Sequence, residues 1–278
     1  MITRERLQQA YDWREAGEAA RSVVDDALAT LPGTVRFLYR YVAWNACFGS
    51  GVSALAAKIG RSRALFLEPG WHPALADRSV LVASYVFDAA RDEFDDRSTP
   101  YRDTHRCLAQ ATLAGLVEHA RSSGLSATAV DALLAEPAWL ATLRDRIADG
   151  YGVRTPDERA TIFRGIGYHL GSELLADREF SVIHEELRAK QHGLLADLAE
   201  RTVTIAGQPH PCAMWIEVHS GHGGGAEADH FEWALEGVGH AFAYSPASLH
   251  AELEAALLAG YLEFVADHRT FFGRVNES

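Results

Sequence analysis

The sequence predicts an all-α protein, a single helical bundle of about seven to eight helices with residues 1–278 forming one domain. Apolar residues recur at helical spacing along most of the chain. Prolines fall between the periodic segments, where they start or end helices without breaking them. Strand patterns are nearly absent apart from a weak Thr202-Val203-Thr204-Ile205 stretch before Gly207. At 278 residues and 48% hydrophobic content the chain can bury a generous core.

Taken in order, the spacing predicts helices at roughly 3–30, 33–60, 78–97, 102–122, 126–150 (broken at Pro137), 156–198, 213–242 and 247–271. Pro32, Pro69, Pro73, Pro100, Pro156, Pro209, Pro211 and Pro246 lie near the boundaries. Within the second helix, Phe37, Leu38, Tyr41, Val42, Trp44 and Phe48 make the surface apolar nearly all round, the mark of a helix at the centre of its bundle. Gly49, Ser50 and Gly51 then allow a close contact or a bend. Ser245 followed by Pro246 predicts a capped start for the last helix. Leu249, Leu253, Leu257, Tyr261, Phe264, Val265 and His268 share one stripe of that helix.

Charge and cysteine usage narrow the function classes. A net charge of −12 argues against nucleic acid and against anionic membrane surfaces as partners. Cys47, Cys107 and Cys212 are widely spaced and lack a C-x-x-C pattern, so neither a disulfide framework nor a structural zinc site is expected. The N-terminus lacks the apolar run of a secretory signal, and no stretch reaches the roughly 18 apolar residues of a membrane span. A cytoplasmic protein is therefore expected; a homodimer is left open.

Two segments carry acids and imidazoles at helical spacing. In the first, His169, Glu173, Asp177 and His184 lie at about 0°, 40°, 80° and 60° around the axis, on one face. In the second, His219, His222, His230, Trp233 and His240 stay within about 60° of one line, with Glu227 about 80° off it. Facing helices with inward carboxylates and imidazoles are how bundles hold transition metals. The bland alternative for the first segment is a solvated face, because Arg178, Glu179, Glu185, Glu186 and Arg188 crowd it. Asp177 and His169 then belong to the surface or act behind the ligands. For the second segment, Gly223-Gly224-Gly225 costs a helix roughly 2–3 kcal/mol relative to alanine, so a break there is open. A third group, Asp88, Asp92, Glu93, Asp95, Asp96, Asp103 and His105, reads either as a source of one more ligand, Glu93, or as an acidic helix end. Nucleophilic catalysis and phosphate binding have no motif here: no G-x-S-x-G elbow occurs, and Gly165-Ile166-Gly167 follows no strand.

Glu173 with His184 about ten residues on, followed by Trp215-Ile216-Glu217-Val218-His219-Ser220-Gly221-His222-Gly223, resembles the haem-oxygenase-like di-metal oxidases. Trp215 stands where that family's motif has its first His, and His219 where it has Asp. Glu227 and His230 offer a second way to satisfy its carboxylate-to-imidazole step. The resemblance implies a haem-oxygenase-like fold, also that of thiaminase II. It further implies non-haem iron, one or two ions, that activates O₂ against a small organic molecule in bacterial natural-product pathways. Glu173, His184, His222, Glu227 and His230 would be ligands, with His219 and Glu93 as further candidates. The alternative is a metal-free thiaminase II-like enzyme or small-molecule-binding protein, whose histidines act as acid, base or hydrogen-bonding groups. A non-catalytic partner-binding bundle is a third class. A substrate is expected between helices, against Tyr41, Trp44, Phe48 and Trp215, and is therefore mostly apolar or aromatic; these aromatics could equally fill the core.

Overall fold

Helix starts follow the capping chemistry written into the chain. The computed structural model describes residues 2–66, 77–96, 103–220 and 226–277, with the side chains of residues 177 and 226–228 outside the description. Thr3 caps α1 (Arg4–Ala10) by accepting from the Arg6 N–H, and Asp12 caps α2 (Trp13–Leu28). The predicted 3–30 segment therefore divides, because Asp12 offers the backbone a second start. Thr30 caps α3 (Leu31–Asn45), with Pro32 in its first turn, and α4 (Phe48–Arg61) follows a break at Ala46-Cys47. Next come α5 (Arg78–Phe94) and α6 (His105–Ser122), the latter capped by Thr104. Pro137 separates α7 (Ala127–Leu133) from α8 (Ala138–Gly150), as the sequence indicates.

A reciprocal box between Glu158 and Thr161 opens α9 (Arg159–Lys190), and α10 (His192–Glu200) completes the 156–198 segment in two pieces. The weak strand signal is real: β1 (Thr202–Ile205) pairs antiparallel with β2 (Gln208–Pro211). Ala206 and Gly207 turn between them with φ of 51° and 83°, the positive pair that a tight hairpin demands. After α11 (Met214–His219) and α12 (Ala226–Ala243), the chain ends on α13 (His250–Arg274). The last helix starts later than predicted. A 3₁₀ turn at Ala247–Leu249 follows Pro246, and Ser245 donates its hydroxyl back to the Ala241 carbonyl instead of capping. The described chain is thus all-α save for one small hairpin. Among the described residues no helix is long and apolar enough to cross a membrane.

One hydrophobic cluster runs from Ile2 to Val275 and draws on nearly every helix. Phe37, Leu38, Tyr41, Val42 and Trp44 of α3 are each at most 1% exposed, so this helix is as central as its composition implies. The tightest seam joins α9 to α13. A Cβ on Gly167 would stand 1.9 Å from the Leu257 carbonyl oxygen, and one on Gly260 would stand 1.9 Å from that of Arg164. Only glycine lets the two backbones touch there.

That seam also buries a carboxylate. Asp267 accepts a 2.9 Å hydrogen bond from the Tyr168 hydroxyl and pairs with Arg146 at the rim. Burial raises Asp267 to about 6, against the opposing pull of Tyr168 and Arg146. Between the ordinary carboxylate range and about 6 the folded chain holds a proton that the unfolded chain has lost. Stability from this group therefore falls as pH rises through that window, by up to about 3 kcal/mol at 1.36 kcal/mol per unit. Asp267→Asn should remove this part of the pH dependence. The check is the difference between wild-type and variant denaturation free energies at pH 4 and pH 7, and a difference that does not change with pH would contradict it.

Candidate functional site

Three helices bring acids and one imidazole together at the middle of the bundle. From α12, His230 is 4% exposed and sits between two carboxylates. Its Nε2 lies 3.0 Å from Asp92 Oδ2 on α5, and its Nδ1 lies 3.6 Å from Glu173 Oε2 on α9. The other Glu173 oxygen lies 3.2 Å from Nδ1 of His169, one turn earlier on α9. This i, i+4 pair is the one the helical angle anticipates. Burial alone would raise the Asp92 carboxyl. The hydrogen bond and charge of His230, together with Arg91, outweigh it and hold the group below the usual carboxylate range.

A second chain of contacts runs beside the first. His219, the last residue of α11, donates from Nδ1 to the Trp215 carbonyl at 2.7 Å, which leaves Nε2 as the acceptor. That Nε2 lies 3.2 Å from His105 Nδ1, while His105 Nε2 lies 3.1 Å from Asp96 Oδ2. His105 then presents both nitrogens as donors, with Asp96 and Glu93 (3.4 Å) as the balancing carboxylates. The Phe180 ring stacks on His219 with centroids 4.2 Å apart.

Two adjoining cavities reach Glu173 of the first group and Glu93, His105 and His219 of the second. An outer one of about 220 Å³ is lined by Val42, Ser50, Phe94, Arg106 and Trp215 among others. An inner one of about 50 Å³ is walled by Trp44, Phe48, Phe180 and Phe264 and carries Glu173 and Glu179. Asn45, Glu93 and His219 line both, so the two form one cleft. Trp44 is also a packing residue. It is 1% exposed and stacks on Phe271 at 4.9 Å. Trp44→Ala should therefore cost about 3–5 kcal/mol of stability in denaturant titrations; a loss under about 1 kcal/mol would show that the ring serves the cleft alone.

Placed against the sequence reading, Glu173 and His230 meet, and Glu93 and His219 line the same cleft. His184 does not join Glu173. Its Nδ1 bonds Ser220 Oγ at 2.9 Å instead. The helical angle puts both residues on one face, but eleven residues separate them by about 16 Å along the axis. His222 lies outside the described residues, as does the side chain of Glu227; the helix break allowed for at the three glycines falls in the same undescribed stretch. Of the aromatics, Tyr41 is buried in the core and lines neither cavity, but it touches the cleft residues Glu179, Phe180 and Trp215.

The sequence reading missed Asp92 as the partner of His230, because adjacent carboxylates point about 100° apart and no pattern says which faces inward. It named His105 only within the third acidic group, Glu179 only as one of the charges of a solvated face, and His268 only on the apolar stripe of the last helix. Among the described residues no three His, Cys, Asp or Glu side chains group closely enough to hold a metal ion between them. Compared with protein-family models, with curated proteins and with solved structures, the chain matches none.

Proposed function

We propose that the chain is a small-molecule oxidase or oxygenase that uses non-haem iron and O₂ at the Asp92–His230 pair, with Glu173 facing the other ring nitrogen of His230, in a haem-oxygenase-like bundle. The observation that carries this reading is the meeting of Asp92 on α5 with His230 on α12, backed by Glu173 of α9, which itself lines an aromatic-walled cavity. The donor set fits a hard, divalent first-row ion. Asp92 Oδ2 and His230 Nε2 are 3.0 Å apart, close to the spacing of two ligands about 2.1 Å from one ion at right angles. Two ligands do not make a complete set, and among the described residues no third groups with them, so at least two more are needed. Glu227, three residues before His230, and His222 are the sequence's candidates.

Carboxylate-rich iron with open positions supplies one-electron chemistry with O₂. The rest falls to this chain's side chains. Glu173 lies 3.2 Å from His169 Nδ1 and 3.6 Å from His230 Nδ1, a position that constrains the His230 imidazole. Trp44, Phe48, Phe180 and Phe264 keep water from the inner cavity and hold an apolar substrate body. His219 and His105 offer a hydrogen-bonded path for a proton from the cleft to Asp96. Anaerobic ferrous loading followed by O₂ exposure tests the reading. Uptake of O₂ should depend on Glu173, and Glu173→Gln, equal in volume but uncharged, should lower it at least about tenfold. Equal uptake in the two proteins would overturn it.

A second reading keeps the cleft and drops the metal. Three imidazoles already have a carboxylate partner: His230 with Asp92, His105 with Asp96, His169 with Glu173. Paired in this way, the histidines could act as acids and bases on a bound small molecule, as in the thiaminase II alternative. Iron retention separates the two readings.

A further inference from the structure

Glu179 is six residues, about 1.7 turns, beyond Glu173 on α9 and is only 5% exposed, yet it lines the inner cavity. Both of its oxygens are held from behind. The Tyr41 hydroxyl donates to Oε2 at 2.9 Å, and His268 Nε2 lies 2.9 Å from Oε1. The second nitrogen of His268, Nδ1, is buried and has no hydrogen-bond partner among the described residues. His268 thus meets the carboxylate through Nε2 alone. The support fixes the carboxylate's position and leaves its remaining lone pairs for whatever enters the cavity.

The cavity walls add a second condition. Trp44, Phe48, Phe180 and Phe264 surround the space with ring surface, and no lysine or arginine is among the described residues that line it. A buried carboxylate is costly, and a side chain of the same size without charge would serve packing better. Carboxylate and ring faces together are the chemistry that recognises an organic cation.

We propose that Glu179, positioned by Tyr41 and His268, is the specificity-determining residue of the cleft and binds the cationic nitrogen of an amine whose body is apolar. This rests on reading the cleft as a small-molecule site but does not require iron. The test therefore uses metal-free protein dialysed against a chelator. Calorimetry would compare butylamine, benzylamine and 2-phenylethylamine, each against the alcohol of the same carbon skeleton. At least one amine should bind ten-fold or more tightly than its alcohol, and in Glu179→Gln that preference should fall to near unity. If Glu179→Gln does not fold, Tyr41→Phe, which frees one carboxylate oxygen, should reduce the preference several-fold. Three amines that bind no better than their alcohols would overturn the proposal. So would a preference that survives in Glu179→Gln or, where that variant does not fold, in Tyr41→Phe. Amine binding without iron retention would leave this inference standing and remove the oxidase reading alone.

Discussion

Gly260→Ala should destabilise the protein by about 3 kcal/mol or more, enough to unfold a marginal domain. The added methyl carbon would sit 1.9 Å from the Arg164 carbonyl oxygen and 2.7 Å from its carbonyl carbon. Those are backbone atoms in the second turn of α9, so no side chain can swing aside, and the two longest helices must separate. Separation propagates, because the same seam carries Tyr168 with Asp267 and Glu179 with His268. Gly239→Ala is the matched control. It lies inside α12 with nothing within 4 Å of the new carbon, so better helix propensity should stabilise by about 0.5–1 kcal/mol. Urea titrations of both variants against wild type check the pair. Two similar small effects would show that the α9–α13 contact is looser than described.

Much of the fold was legible because helix periodicity, caps and prolines are local signals. The segments at 78–97, 102–122 and 126–150 appear within a few residues of their predicted ends. What local signals could not show was where a second cap outweighs continued periodicity. Asp12 does so at the start of α2, the breaks at Cys47 and Gln191 carry no side-chain cap at all, and Ser245 bonds a carbonyl one turn back instead of capping.

The site was legible in part. Histidines among Trp215, Val218, Phe231 and Trp233 had to be at least partly buried, and His219 and His230 are. Their partners were not legible, since Asp92 and Glu173 reach His230 across sequence separations that no spacing encodes. His184 shows the limit of angular reasoning, because one helix face extends far longer than a metal site. Glu179 was hidden by its neighbours. In a run with Arg178, Glu185 and Glu186 it reads as one more solvated charge, and only the packing of α3 and α13 against α9 turns it inward.

The second large effect concerns iron and is expected from a single imidazole. His230 faces Asp92 and Glu173 at once, so His230→Ala deletes a nitrogen ligand and leaves two carboxylates without their shared partner. Loss of a ligand from a site of this size costs metal affinity by orders of magnitude. The decisive measurement is iron content by elemental analysis, after anaerobic ferrous reconstitution and desalting, for wild type and His230→Ala side by side. The proposed function predicts about one equivalent of iron or more in the wild type and less than about a tenth in the variant. A wild type below about a tenth of an equivalent, or equal iron in both proteins, would contradict it.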